Sequence, residues 1–586
     1  MATLDIIIIA AFILLTLTIG MLFARVGGRS LEDYFVAGKS LPWWAIGMSS
    51  VATYSSAGTG AAFTMLVFNE GLVGNWWWWL PWVIWMPLVA IIWAKLWRRL
   101  GIMTAAEIIT VRYSGRVSRY FRAGYAFFFA GLYATISLGY GTGWLLRTIG
   151  PVVDWTNLEI MLLGGGVVLI YTVVSGLYGV VYNDVLQFII FIIANIIFIP
   201  LVINAVGGLE HVLATATEVR GPEFFKPLPP GGSITQLTVV ALILQGLFFA
   251  QSPSGGEGHV AQRFLSAKNE FHAVVGQLLN AFLSLALRSL PFIFLGITAV
   301  GLFPKDFAEP GEIWAILVRD YAAPGILGLL IAAELSAYMS TVSTQMNWGS
   351  SYLVSDVYKS LINKDASNNH YVWVGRFLSA AVLVGGFFIA YFQVKGMMEW
   401  FLFINSVVIA FVLPLSWLRF FWWRLNIYGE LTAIIGGIPL GYIIWFPLGF
   451  SQRPFWQGFF LLFFAGWFSI VFVTLMTKQE KMEVLKNFYN KCKPPGLWGP
   501  VTDAMRDEER AILRGETIHD IIDAILGIVL FGSMVTTINA FIARNSLLGI
   551  ITLALLTISG FLLIRRLSRM KVFSSLGKNY KEPKEE

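Results

Sequence analysis

The chain has 586 residues, of which 57% are hydrophobic and 13% are charged, and its formal net charge is +7. Soluble domains carry about one-quarter charged residues, so this composition excludes a soluble globular protein and predicts one that crosses a membrane many times. The single cysteine excludes an internal disulfide, and five histidines without metal-ligand spacing argue against a zinc or iron–sulfur site.

Apolar runs of about 18 residues or more, which is the length needed to cross the hydrocarbon, follow one another along the chain. They predict an all-α polytopic membrane protein with about fifteen transmembrane helices. The first run begins with Asp5 instead of basic residues and reaches Arg25 without a small-residue cleavage site, so we expect it to remain as a helix. The predicted helices lie at 4–25, 42–69, 74–96, 121–147, 157–175, 178–205, 236–259, 272–303, 323–358, 371–393, 397–418, 429–449, 455–477, 519–542 and 545–564.

Lysine and arginine concentrate in alternate loops, with the largest clusters at Lys95 to Arg122, Lys478 to Arg514 and Arg565 to Lys584. Cytoplasmic loops of membrane proteins carry an excess of these residues, which predicts an N-terminus outside and a C-terminus in the cytoplasm of a cell (inner) membrane. Basic loops beside the anionic lipid of the bilayer account for the net charge, so no nucleic-acid partner is expected.

Two predicted helices are interrupted at membrane depth. Residues 55–60 of the second read Ser-Ser-Ala-Gly-Thr-Gly, and residues 251–258 of the seventh read Gln-Ser-Pro-Ser-Gly-Gly-Glu-Gly. Unwound backbone survives in lipid only around a cavity, an ion or a ligand. Breaks at corresponding positions of two five-helix units are typical of inverted-repeat secondary transporters.

A row of hydroxyl side chains marks the predicted helix at 323–358. Ala337, Ser340, Thr341 and Thr344 follow the spacing i, i+3, i+4 and i+7, which places them on one helix face. Several uncharged oxygens suit a sodium ion that must bind inside a membrane and leave again. Helix packing is the alternative interpretation, because small and hydroxyl residues also let membrane helices approach closely.

Five motifs recur in order between about residues 30 and 420, namely DYFVAGKSLPWWAIG (33–47), YTVVSGLYGVVYNDVLQF (171–188), QRFLSAK (262–268), AYMSTVST (337–344) and DVYK (356–359). With these motifs the chain resembles the sodium:solute symporters, the family that includes bacterial sodium/galactose and sodium/proline carriers. The resemblance implies a LeuT-type bundle of five plus five inverted helices, with one helix before it and about four after it.

The resemblance also divides the chain into segments. The division is 1–30 for the extra N-terminal transmembrane helix, 41–421 for the inverted-repeat transport core, 429–477 for two additional transmembrane helices, 478–518 for a cytoplasmic loop, 519–566 for a C-terminal transmembrane hairpin and 567–586 for a cytoplasmic tail.

Sodium is the only cofactor or metal ion that the resemblance implies. Its ligands, matched by position, are backbone carbonyls of Ala52, Ser55 and Ala337 together with the hydroxyls of Ser340 and Thr341. These residues belong to the first break and to the hydroxyl face of the helix at 323–358.

The resemblance also implies a second sodium ion, because it extends to family members with two sodium sites. Asp184 matches the aspartate of that arrangement, and Ser343 and Thr344 supply hydroxyls. An ionisable group at membrane depth is expensive unless it meets a cation or hydrogen bonds. Structural hydrogen bonding near the inner surface is therefore the alternative role of Asp184.

The expected solute site lies beside the two breaks, where polar side chains are Thr59, Gln251, Ser252, Glu257 and Arg288. The sugar carriers have an aromatic gate on the sixth core helix, which this chain replaces by small polar residues, so sugar specificity is not implied. Charges inside membrane helices contact a substrate or pair with a neighbour. His259 and Glu334 could take the same two roles. For His259 we favour a structural role, as a hydrogen-bonded histidine near the cytoplasmic end of its helix.

The sequence thus predicts a sodium-coupled symporter that imports a small polar organic solute, such as a sugar, amino acid or carboxylate, by alternating access. A transporter-like membrane sensor and a sodium-conducting channel without coupled solute uptake are the alternatives. No nucleophile, metal cluster or acid–base pair stands out, so no enzymatic activity is expected.

Overall fold

The computed structural model describes residues 1–248, 258–393, 413–503 and 505–568. Within these ranges the regular structure is helical, and the β-type pairings are isolated bridges. The predicted all-α class is confirmed.

The helices that precede the long kinked helix of the bundle lie at α1 Thr3–Gly27, α2 Leu31–Val36, α3 Trp43–Tyr54, α4 Thr59–Glu70, α5 Trp76–Leu88, α6 Ala94–Leu100, α7 Ile108–Arg112, α8 Gly115–Ala126 and α9 Ala134–Ile149. The middle of the chain forms α10 Asn157–Ala205, α11 Leu209–Arg220, α12 Gln236–Phe248, α13 Gly258–Leu265, α14 Glu270–Phe282, α15 Leu290–Ala299, α16 Ile313–Tyr321, α17 Ile326–Tyr352 and α18 Asn368–Gln393. The last part forms α19 Leu413–Phe421, α20 Ile427–Leu431, α21 Gly437–Trp445, α22 Phe455–Met476, α23 Met482–Cys492, α24 Gly499–Thr502, α25 Asp507–Ile542 and α26 Ser546–Leu567.

Short π-helical segments join several of these helices without a loop between them. The joining segments lie at Val89–Trp93, Phe127–Tyr133 and Thr432–Gly436, whereas those at Leu283–Leu287 and Leu353–Ile362 extend α14 and α17 at their C-terminal ends. Single 3₁₀ turns lie at Ala37–Lys39, Gly71–Asn75, Ala105–Glu107, Pro222–Phe225, Pro310–Glu312 and Phe450–Gln452.

Helix α17 lies at the centre of the bundle. It packs against α10, α1, α9, α18 and α3, and α3 packs in turn against α14 and α10. The carboxylate of Asp5 on α1 accepts hydrogen bonds from the amides of Gly325 and Gly328, at 2.7 and 2.8 Å, where α17 begins. A negative charge at a helix N-terminus satisfies amides that lack a partner within the helix. Asp5 thereby fixes the start of α17 against α1.

Helix α10 spans 49 residues and turns sharply at Gly176. The φ of Gly176 is +58°, and a Cβ at this position would lie 2.5 Å from the carbonyl oxygen of Tyr34. Only glycine combines that conformation with so close an approach. The predicted helices at 157–175 and 178–205 therefore follow one another within a single helical element.

Two of the family motifs meet on the side of the bundle where the basic loops lie. Leu41 pairs with the QRFLSAK motif through its amide, which donates to Ser266 O at 3.0 Å, and its carbonyl, which accepts from the amide of Lys268 at 3.0 Å. The side chain of Gln262 donates to Phe35 O at 2.9 Å and to Asn347 Oδ1 at 2.8 Å. The motifs thus hold α2, α13 and α17 together next to the start of α3.

Among the described residues, ten helical stretches are long and apolar enough to cross a membrane. Part of the difference from about fifteen predicted spans has local causes. Two predicted spans merge in α10, α3 and α4 are separate helices of 12 residues each, and the predicted span at 397–418 lies mostly outside the described residues. The membrane class is confirmed, whereas the exact helix count and the division into segments stay predictions.

Helix α25 begins at Asp507, earlier than the transmembrane hairpin predicted from residue 519. Its first turn contains Asp507, Glu508 and Glu509, and such acidic residues stabilise a helix N-terminus. The helix therefore extends from the membrane into the segment that the sequence assigns to a cytoplasmic loop.

Candidate cation and solute site

The second predicted helix is broken as the sequence predicted. Helix α3 ends at Tyr54, α4 begins at Thr59, and Ser55 leaves the helical conformation with φ −87° and ψ 75°. A Cβ at Gly58 would lie 2.6 Å from the ring of Trp144 on α9, so the break is pressed against a neighbouring helix. The break therefore places main-chain oxygens of the last turn of α3 inside the bundle.

Two hydroxyls of α17 face these oxygens. Ser340 Oγ donates to the carbonyl of Ala52 at 2.9 Å and to that of Ala337 at 3.0 Å. Thr341 Oγ1 donates to the carbonyl of Thr53 at 2.9 Å and to that of Ala337 at 3.2 Å. Four of the five residues predicted for the first sodium ion, Ala52, Ala337, Ser340 and Thr341, are thus brought together.

The fifth predicted residue, Ser55, makes its hydrogen bonds within α3. Its amide donates to Ala52 and its hydroxyl to Val51, the latter at 2.8 Å. Thr53 supplies a second carbonyl that accepts a hydrogen bond from α17, and the sequence reasoning missed this residue. The spacing offered a signal, because Thr53 follows Ala52 in the last turn before the break.

The oxygens at this junction are chemically suited to a monovalent cation. They comprise three main-chain carbonyls and two hydroxyls, and none of them carries a full charge. A cation that binds here takes the place of the hydroxyl protons between these oxygens, and each hydroxyl proton turns away from it. Uncharged oxygens hold sodium without the desolvation cost of a buried carboxylate.

The residues predicted for a second sodium ion meet a guanidinium group. Arg263 Nη2 lies 3.3 Å from Asp184 Oδ2 and donates to Thr344 Oγ1 at 2.8 Å. Ser49 Oγ donates to the same carboxylate at 2.5 Å and accepts from Arg263 Nε at 2.9 Å. Both charged side chains are buried, and a buried carboxylate is tolerated only beside a cation or strong hydrogen-bond donors. In this structure Arg263 is that cation.

The third residue of the predicted second site, Ser343, donates to Ser340 O of its own helix at 3.2 Å. Thr53 links the two groups of residues, because its hydroxyl lies 3.0 Å from Thr344 Oγ1 while its carbonyl accepts from Thr341. Arg263 and Ser49 are further residues that the sequence reasoning missed. Arg263 lies in a motif recognised from the sequence, and the need of Asp184 for a buried cation was the signal that pointed to it.

Two of the predicted solute residues flank the break. Arg288 Nη1 donates to the carbonyl of Tyr54 at 2.8 Å, and its guanidinium lies 4.5 Å from the ring centre of Trp82. Thr59 is the first residue of α4 and is buried. The remaining predicted solute residues, Gln251, Ser252 and Glu257, lie outside the described residues.

Two more charged or titratable side chains lie in the interior. His259 is buried, with its ring 5.4 Å from that of Tyr54. Glu334 lies on α17 one turn before Ala337, and both of its carboxylate oxygens are buried without a hydrogen-bond partner among the described residues. Neither side chain belongs to the junction of Ser340 and Thr341 with the end of α3.

The sequence profile of the Sodium:solute symporter family matches residues 34–437. Over 506 residues the chain is 26% identical to the sodium/glucose cotransporter of Vibrio parahaemolyticus. The match covers 81% of this chain and 90% of that protein. Over 469 residues it is 27% identical to the sodium/pantothenate symporter of Haemophilus influenzae, with 77% and 92% covered.

A solved structure of a Na⁺-coupled sialic acid symporter, in a substrate-bound outward-open state, superposes with a TM-score of 0.68. The two chains are 19% identical, and the match covers 82% of this chain and 99% of the other. This likeness confirms the predicted LeuT-type fold. Since the family profile spans the motifs and both sides of the junction between α3 and α17, the chain belongs to the sodium:solute symporter family.

Proposed function

We propose that this protein is a sodium-coupled symporter that imports a small polar organic solute by alternating access. The single observation that carries the proposal is the contact of Ser340 and Thr341 with the carbonyls of Ala52 and Thr53 at the end of a broken helix. The related proteins named above are symporters of glucose, pantothenate and sialic acid, so a small polar solute is the class that they share.

Sodium binds, in this proposal, between Ala52, Ser55, Ala337, Ser340 and Thr341, and it holds α3 against α17. Thr53 contributes a carbonyl beside these ligands. A bound ion shifts a carrier only by the difference between its affinities for the outward and inward states. Release of sodium toward the cytoplasm weakens the junction between α3 and α17 and so favours opening of the solute cavity on that side.

The membrane potential adds to the driving force. Each positive charge that enters gains about 2.3 kcal/mol per 100 mV, which is roughly a 50-fold concentration ratio at about 1.4 kcal/mol per tenfold. The sodium gradient contributes in addition. One sodium ion per cycle is therefore sufficient to accumulate an uncharged solute.

A second sodium ion at Asp184, Ser343 and Thr344 requires Arg263 to move. The guanidinium of Arg263 occupies the hydrogen-bonding positions of Asp184 and Thr344, and two cations cannot share them. We therefore place a second ion only in a state of the cycle in which Arg263 has left the carboxylate. Thr53 provides the physical link between this site and the first one.

The solute site in this proposal lies beside the break and uses Thr59, Gln251, Ser252, Glu257 and Arg288. The buried guanidinium of Arg288 favours a solute with a carboxylate or another group rich in acceptor oxygens. The stacking of Arg288 on Trp82 orients its remaining donors.

In this proposal the protein lies in a cell (inner) membrane, with its N-terminus outside and its C-terminus in the cytoplasm. The partners are the solute, the sodium ion and the lipid bilayer, and neither a nucleic acid nor a chemical reaction on the solute belongs to the proposal. The segments in the proposal are those predicted from the sequence, from the transport core at 41–421 to the tail at 567–586.

Uptake by proteoliposomes tests the function. The solute is first identified by screening sugars, amino acids and carboxylates for a sodium-dependent rise in the unfolding temperature of the purified protein. We expect this solute to accumulate when an inward sodium gradient is imposed, and to accumulate further when the interior is made negative. Sodium currents that are independent of solute support a channel instead, and solute binding without uptake supports a sensor.

A further inference from the structure

A cavity of 480 Å³ lies at the end of the bundle that contains the basic loops, away from the junction of α3 with α17. Its walls come from the end of α6 in the transport core, from the chain after α23 and from the first turns of α25. Five basic side chains line it, namely Lys95, Arg99, Lys493, Arg510 and Arg514. Glu516 and Asp520 are its acidic side chains, so the lining carries an excess of positive charge.

Two of the basic side chains are neutralised by close partners. Lys95 Nζ lies 2.6 Å from Asp520, and Arg99 Nε lies 3.0 Å from Glu270. Both pairs are largely shielded from solvent, and they fix the inner wall of the cavity. The available positive charge therefore belongs to the other three basic side chains.

These three side chains are weakly paired. Lys493 lies 3.1 Å from Glu509 in an exposed ion pair, and Arg510 lies 3.0 Å from Asp507, whose side chain is 96% exposed. Exposed pairs of this kind are screened by water and break at little cost. Arg510 Nε is buried without a hydrogen-bond partner, and Arg514 has no ion pair among the described residues. The cavity thus offers donors that its own carboxylates do not use.

Exposed apolar side chains of α25 adjoin the cavity. Helix α25 exposes Ile512, Ile518, Ile521 and Ile522 beside the lining residues, with exposed fractions between 39% and 58%. Exposed isoleucines along one stretch of a membrane helix are covered by acyl chains. In a bilayer, this apolar surface is expected to bring the basic side chains to the level of the phospholipid headgroups, on the side that the positive-inside rule predicts to be cytoplasmic.

We propose that this cavity binds a phosphate-bearing anion, and that the headgroup of an anionic phospholipid is its natural source. Guanidinium groups bind phosphate oxygens through two parallel hydrogen bonds, and an ammonium group adds a point charge. Basic pockets between membrane helices on the cytoplasmic side suit anionic headgroups. The bound anion joins Lys493, in the chain after α23, to Arg510 and Arg514 on α25, beside the wall that α6 contributes. This inference does not depend on the proposed sodium or solute sites.

The full-length protein in detergent micelles provides the test. Its unfolding temperature is measured during titration with phosphatidylglycerol, with zwitterionic phosphatidylcholine and with inorganic phosphate, the last against sodium chloride at equal ionic strength. The pocket variant is Arg510→Gln with Arg514→Gln. The matched control is Lys486→Gln with Lys491→Gln, which removes two exposed charges of α23 outside the cavity.

We expect phosphatidylglycerol to stabilise the wild type and the control variant, with the same lipid concentration giving the half-maximal effect in both. Phosphatidylcholine should stabilise neither. The pocket variant should need at least about tenfold more phosphatidylglycerol, because two charge-assisted interactions are lost. Stabilisation of the wild type by inorganic phosphate alone, lost in the pocket variant, supports the same chemistry with a soluble source. Equal responses of the wild type and the pocket variant, or no response of the wild type to either anion, overturn the proposal.

If the double variant does not fold, Lys493→Asn replaces it in the same titrations. Lys493 has a φ of +44°, a conformation that asparagine tolerates better than most residues, so this variant removes a cavity charge without new backbone strain. We expect a weaker response to phosphatidylglycerol than in the control. A response equal to that of the control contradicts the proposal.

Discussion

The hydroxyl of Ser340 donates a hydrogen bond of 2.9 Å to the main-chain carbonyl of Ala52, 288 residues earlier in the chain. This bond joins the last turn of α3, immediately before its break, to the central helix α17. A cation that takes the place of the hydrogen bond between these oxygens binds well only while the two helices stay together. Ion affinity and the relative position of α3 and α17 are therefore linked.

Arg288 is expected to govern solute affinity. Arg288→Gln removes the buried charge beside the break and should raise the solute concentration for half-maximal uptake by about tenfold or more, since hydrogen bonds to charged groups contribute about 1.5–3 kcal/mol. Sodium affinity should change little, because Arg288 contacts Tyr54 and Trp82, and neither is one of the proposed sodium ligands. Arg147→Gln, at an exposed position on α9, is the control. An unchanged solute affinity in Arg288→Gln argues against the assigned solute site.

Arg263 and Asp184 should behave as one unit. Arg263→Gln leaves a buried carboxylate without its cation and is expected to lower the free energy of unfolding by about 3–5 kcal/mol in potassium buffer. Sodium should restore part of this loss by binding at Asp184, so the unfolding temperature becomes more dependent on sodium than in the wild type. Unfolding measured in matched sodium and potassium buffers checks this expectation.

Asp184→Asn is the companion variant. In the Arg263→Gln background it should remove the additional sodium dependence, because the carboxylate that attracts the ion is gone. In the otherwise native protein it should lower the Hill coefficient of sodium-driven uptake. A Hill coefficient that stays the same indicates that no second sodium ion binds at Asp184.

Glu430 is expected to stabilise the fold through its buried hydrogen bonds. Its carboxylate accepts two hydrogen bonds from Arg419, at 2.6 and 2.7 Å, and one from Tyr113 at 2.9 Å, all in the interior. Glu430→Gln leaves the buried guanidinium without its carboxylate, with an expected cost of about 3–5 kcal/mol in the free energy of unfolding. Glu509→Gln, which removes the exposed pair with Lys493, should cost less than about 1 kcal/mol. Similar unfolding temperatures for the two variants contradict this account.

Cys492 should be inert to thiol reagents in the folded protein. Burial raises the pKa of its thiol to about 12, with only partial compensation from Arg112 and Arg99. Because the thiolate is the reactive species, a raised pKa leaves the group protonated and unreactive at neutral pH. Maleimide labelling followed by mass spectrometry should show modification only after denaturation. Rapid labelling of the native protein contradicts this expectation.

The sequence alone was sufficient to predict the break after α3 and the hydroxyl face of α17. Lipid cannot satisfy unwound backbone, so residues 55–60 stood out inside an apolar run. Helical periodicity alone placed Ser340 and Thr341 on one face. These features are local, and local spacing determines them.

The contacts between distant segments were harder to predict. Arg263 and Asp184 are 79 residues apart, and periodicity does not tell which helices face each other. The contact of the Thr53 carbonyl with Thr341 depends on how the last turn of α3 unwinds, a detail of geometry that spacing leaves open. Gly176 likewise bends α10 without ending it. Two apolar runs in the sequence therefore correspond to one helical element in the structure.

The sodium affinity of the Ser340→Ala, Thr341→Ala double variant tests the central claim most directly. Sodium replaces potassium at constant ionic strength while the unfolding temperature of the purified protein is followed. Ser351→Ala serves as the control, because this hydroxyl donates to Trp348 of the same helix at 2.7 Å. We expect saturable stabilisation by sodium in the wild type and control, and at least about tenfold weaker affinity in the double variant, from the loss of two hydroxyl ligands. A sodium titration of the double variant that matches the wild type contradicts the proposed site.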